Sequence, residues 1–114
     1  MIIDQTLDSL VQSSRGLREV GRKNLHPGDF VIVKTANSTY SLQVEVDGTF
    51  TVSGGWFDLK GTSPVKTSIR GCTWGGSAIK VDIIAACGLR IEFANRIITS
   101  PIQKIFVFSR WQKN

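Results

Sequence analysis

Little in this chain is equipped for chemistry. Its 114 residues hold one histidine, His26, and two cysteines, Cys72 and Cys87. No His, Cys, Asp and Glu spacing matches a metal-ligand set, so neither a zinc site nor a cofactor is expected. No apolar run approaches the ~18–20 residues that span a bilayer. The opening stretch MIIDQTLDSL lacks the cationic start and apolar core of a secretory signal. A cytoplasmic protein with neither a membrane nor a metal as partner is the expectation. Acids thin out in the second half, where Asp82 and Glu92 stand against eight lysines and arginines from residue 61 onward.

Those shortages exclude most catalytic schemes. A Cys–His or Ser–His nucleophile must use His26, which precedes Pro27 in a loop. Asp29 is the near group that could orient it, and nothing in the spacing brings it to Cys72. Gly71 and Gly76 stand at the spacing of the two P-loop glycines. The next residue is Ser77, where that motif needs a lysine, and a strand pattern follows where a helix should open. Asp82 and Glu92 have Lys80 and Arg90 beside them and read as a solvated charge ladder, not as an acid–base pair. A non-enzymatic protein is expected.

What is present is a β pattern. The length fits one compact domain, since these run to roughly 100–150 residues. Leu7, Leu10 and Val11 recur at helical spacing and predict a short helix over residues 4–13. Residues 17–24 suit another helical turn or an extended basic linker, and the turn at Pro27–Gly28 ends a segment 1–26 ahead of a β domain over 27–114. Seven strand candidates follow: FVIVKT, YSLQVEV, TFTVSGGWF, VKTSIRG, AIKVDIIA, LRIEF and KIFVF. The predicted fold is all-β, a single small barrel or β-roll of six to seven mostly antiparallel strands with a short N-terminal helix. FVIV and KIFVF are apolar on both faces and are expected inside it.

Register fixes the expected bends, because a hairpin must set apolar opposite apolar. A three-residue loop with glycine third serves each one. Loop 46–48 pairs Val44 with Phe50 and Leu42 with Val52. Loop 74–76 pairs Thr73 with Ser77 and Ile69 with Val81, so RGCTWGGSAIK reads as a hairpin. Loop 86–88 pairs Ile83 with Ile91 and Val81 with Phe93. Cys72 and Cys87 then lie roughly 25–30 Å apart, too far for a disulfide. The run SPIQ, residues 100–103, has the form of a capping box and predicts a single helical turn.

The candidate surface is basic. In this register Arg70 faces Lys80, with Lys66 and Arg90 nearby and Trp74 at the adjacent bend. Arg15, Arg18 and Arg22 share one face if their segment is helical. Cations interleaved with aromatic rings suit single-stranded nucleic acid, whose bases stack and whose phosphates pair. The same residues also read as solubility charge, with Trp56 and Trp74 capping the core. Two functions follow: a module for protein contact or self-assembly, and a barrel binding single-stranded DNA or RNA through that basic face.

Overall fold

The computed structural model describes residues 17–75 and 78–109. The helix expected over residues 4–13, together with Arg15, lies outside them. Among the described residues the strands are antiparallel throughout, and no helix is long and apolar enough to cross a membrane. The barrel and the strand count both need correction. Among the described residues ten strands fall into three sheets, and no closed barrel is found.

The largest sheet follows from clean alternation. Strands β2 (Phe30–Thr35), β3 (Thr39–Val44) and β4 (Phe50–Gly54) pair in sequence order, with β10 (Ile102–Phe108) beside β2 and β5 (Val65–Thr67) beside β4. Val31, Val33, Leu42, Val44, Phe50 and Val52 point inward and are buried. Each such side chain contributes about 1.5–3 kcal/mol through burial. The first bend is as expected: Val44 faces Phe50, Leu42 faces Val52, and Gly48 takes a φ of 83° at the third loop position. The idea that FVIV is covered on both faces fails, since Phe30 and Lys34 are exposed. β10 carries a bulge between Ile102 and Lys104. That bulge turns Ile102 and Ile105 to one buried face although they are an odd number of residues apart.

Three of the predicted strands are broken, the first of them at a glycine. TFTVSGGWF ends at Gly54 and continues as helix α1 (Gly55–Leu59). Gly54 has a φ of 100°, and a Cβ there would land on the Thr39 carbonyl oxygen. The helix plants Phe57 in the core, edge-on to Tyr40 and Phe93. VKTSIRG divides into β5 and β6 (Ile69–Thr73), which belong to different sheets. AIKVDIIA divides as well, into β7 (Ile79–Lys80) and β8 (Ile83–Ala86).

The second sheet has the order β7–β6–β9, with β9 spanning Arg90–Phe93. RGCTWGGSAIK is therefore a hairpin, but its register is shifted by two. Thr73 pairs with Ile79 and Cys72 with Lys80, so Lys80 does not face Arg70. The hairpin predicted between β8 and β9 is absent. β8 pairs instead with β1 (Glu19–Gly21), and β9 with β6. The backbone at that bend is already engaged: Cys87 N–H donates to Arg18 O at 2.8 Å and Gly88 N–H to Ile102 O at 2.9 Å.

The remaining expectations fare unevenly. Residues 17–24 contain both an extended stretch, β1, and a single 3-10 helical turn (Arg22–Asn24), and Val20 enters the core. Arg18 and Arg22 thus share no helical face. SPIQ forms no turn of helix. Pro101 O accepts from Ala36 N–H and Ile102 N–H donates to Leu89 O, which draws the chain straight into β10. The Ser100 hydroxyl donates to Thr35 Oγ1 at 2.8 Å and accepts from Asn37 N–H at 3.1 Å.

Candidate functional site

The thiol and the imidazole stay apart in function. Cys72 is fully buried on β6, and its thiol donates to Ile84 O at 3.3 Å. Burial pushes its pKa up to about 11, so at neutral pH it holds its proton and is a poor nucleophile. His26 is exposed, with Nδ1 3.7 Å from Asp29 Oδ2, and the same carboxylate oxygen accepts from His26 N–H at 2.9 Å. That contact closes the turn entering β2. Among the described residues no three His, Cys, Asp or Glu side chains gather into a metal-sized cluster, and both cysteines are free.

The basic face resolves into cations with partners and cations without a carboxylate. Lys66 Nζ lies 3.0 Å from Asp47 Oδ2. Asp47 is held well below the usual carboxylate range, first by the Thr49 hydroxyl and then by Lys66. Arg70 Nη1 lies 3.5 Å from Glu92 Oε2. Arg22 is built into the fold: Nη2 donates to Ile69 O and Val81 O, both at 2.8 Å, and Nε donates to Val81 O at 3.1 Å. Arg18 is exposed ahead of β1, where its carbonyl holds Cys87 N–H.

Three of the predicted residues do come together. Trp74 leaves the end of β6, the middle strand of its sheet, between Lys80 on β7 and Arg90 on β9. Lys80 Nζ sits over the Trp74 ring, 5.4 Å from its centroid. Arg90 pairs with Thr73 across the sheet, and its Nη1 donates to Thr99 O at 3.4 Å. Neither cation has a carboxylate within ion-pair distance among the described residues. Trp74 remains 60% exposed. Trp56 also has a lysine over its ring, Lys60 Nζ at 5.8 Å from the centroid, but it is only 37% exposed and lies edge-on to Phe57, with ring centroids 5.3 Å apart.

Thr73 was missed and matters. Its buried hydroxyl donates to Ala78 O at 2.7 Å and accepts from Gly75 N–H at 3.0 Å, pinning both sides of the tip. The Thr-x-Gly spacing over 73–75 is the signal that could have found it, because threonine hydroxyls bind the backbone two residues on. Thr99, which holds Arg90, has no comparable mark. Gly71 takes a φ of 144°, and a Cβ there would strike the Lys80 carbonyl, so only glycine lets β7 approach this closely.

A separate concavity lies away from this bend. A groove of about 570 Å³ runs beside β1, lined by Glu19, Gly21, Lys23, Asn24, Asp82 and Ile83, and Arg22 lines it with a guanidinium already committed to carbonyls. No protein-family model, curated protein or solved structure matches this chain.

Proposed function

We propose that this chain is a non-enzymatic β module for protein contact, self-assembly included. One observation carries the reading: the cations of the basic face are largely engaged within the chain, while large apolar side chains stand out at its bends. Among the described residues of that face, Lys66 and Arg70 have carboxylates and Arg22 has carbonyls, which leaves fewer unengaged cations there to follow a phosphodiester backbone. Trp74 projects at one bend, Val46 is 86% exposed at another, and Leu59 is 85% exposed at the end of α1. Exposed tryptophan beside arginine is the composition of an interface anchor. The buried, protonated Cys72 supports the absence of thiol catalysis.

A photo-crosslinking amino acid placed at position 74 tests this in cells of the source organism. The expected product is a discrete adduct that survives nuclease and is lost to protease. An adduct that nuclease removes, or none at position 74 and none at position 59, would contradict the reading.

The nucleic-acid reading keeps one favourable observation, the exposed Trp74 ring with Lys80 over it and Arg90 beside the neighbouring Gly75. It makes a different prediction for salt dependence.

A further inference from the structure

The geometry points to the Trp74–Lys80–Arg90 tip as a recognition site for an acidic polypeptide segment, one that sets a carboxylate against the two cations and an apolar side chain against the indole. This rests on the protein-contact reading and names its surface and partner chemistry.

Charge selects the class of partner. Lys80 lies over the ring, while the Arg90 side chain passes beside Gly75, the next residue, and neither cation meets a carboxylate among the described residues. The nearest acid along β9, Glu92, is bonded to Arg70. The bend therefore carries two positive charges with no carboxylate paired to them among the described residues, next to a ring that is 60% exposed. Two cations at one bend make a point site. They suit one or two side-chain carboxylates beside an apolar residue better than a run of phosphates, for which Lys66 and Arg70 would have to leave Asp47 and Glu92.

Several described groups around the site already have partners within the chain. Thr73 fixes Gly75 and Ala78, Thr99 O fixes the Arg90 guanidinium, and Lys80 already lies on the indole face. Groups ordered in advance lose less freedom on binding, which favours recognition by so few contacts. A guanidinium can also take a carboxylate with two parallel hydrogen bonds, which a lysine at the same place could not.

The test is a two-dimensional NMR titration of the whole chain with three probes: a twelve-residue peptide alternating Glu with Leu and Phe, its Gln-for-Glu counterpart, and a twelve-nucleotide oligo-dT. Saturable shifts at the Trp74 indole N–H with the Glu peptide are expected, and at least tenfold weaker binding of the Gln peptide. K80Q/R90Q should lose the same factor while the amide shifts of the large sheet stay in place, which shows that the chain still folds. K80E/R90E should reverse the preference, toward a Lys-containing peptide. Equal affinity for the Glu and Gln peptides, or shifts that avoid the tip, would overturn the site while leaving protein contact to the crosslinking result. Tighter binding of oligo-dT than of the Glu peptide would overturn both.

Discussion

Cys72 and Thr73 show how neighbouring residues on β6 take different tasks. The Cys72 thiol is buried and its pKa stands at about 11 against an ordinary 9.0. Below pH ~9 it is protonated in both folded and unfolded chains, so its contribution to stability is fully present there. Between about pH 9 and 11 the unfolded chain gives up the proton first, and stability falls as pH rises, by on the order of 2 kcal/mol. Equilibrium unfolding across that range should show this slope, and Cys72→Ala should flatten it. Under native conditions at pH 8 a thiol reagent should modify Cys87, which is half-buried, well before Cys72. Equal rates for the two would mean that the burial of Cys72 is wrong. Thr73→Val keeps the shape but leaves Gly75 N–H and Ala78 C=O without their partner, which should destabilise by about 1–3 kcal/mol in a denaturant titration.

Among the elements, legibility divides by how local the deciding contacts are. The β3–β4 hairpin could be read because its loop, Val46-Asp47-Gly48, and its alternating flanks lie within one short stretch. Its core pair is a direct target: Leu42→Ala should lower stability by roughly 2–5 kcal/mol. The β8–β9 bend has equally good local credentials, with Gly88 at a φ of 90°, yet no ladder forms. Arg18 and Ile102, far away in sequence, take its backbone groups. Alternation cannot report such competitors. The site shows the same divide. Trp74, Lys80 and Arg90 were legible as residue types around one bend. That Lys66 and Arg70 belong to Asp47 and Glu92 depends on sheet pairing and was not. β7 is the shortest strand of its sheet and lies close to β6 because residue 71 lacks a side chain. Gly71→Ala should displace it, and the Lys80–Trp74 contact should then disappear from side-chain NMR data even if the large sheet survives.

The molecule as a whole sets a small charged aromatic bend on an antiparallel scaffold. A net charge of +5 would by itself draw polyanions weakly at low salt. The organisation of that charge is what distinguishes the two functions, since paired cations release few counterions when a phosphate chain approaches. The most direct measurement is retention of a random-sequence single-stranded oligonucleotide on a filter as salt is raised from about 50 mM, where electrostatic attraction is strongest. The protein-contact account predicts no saturable retention even at that lowest salt. Saturable retention whose log affinity falls by about 0.7 per phosphate with log salt, over several phosphates, and flattens in R70Q/K80Q, would contradict it.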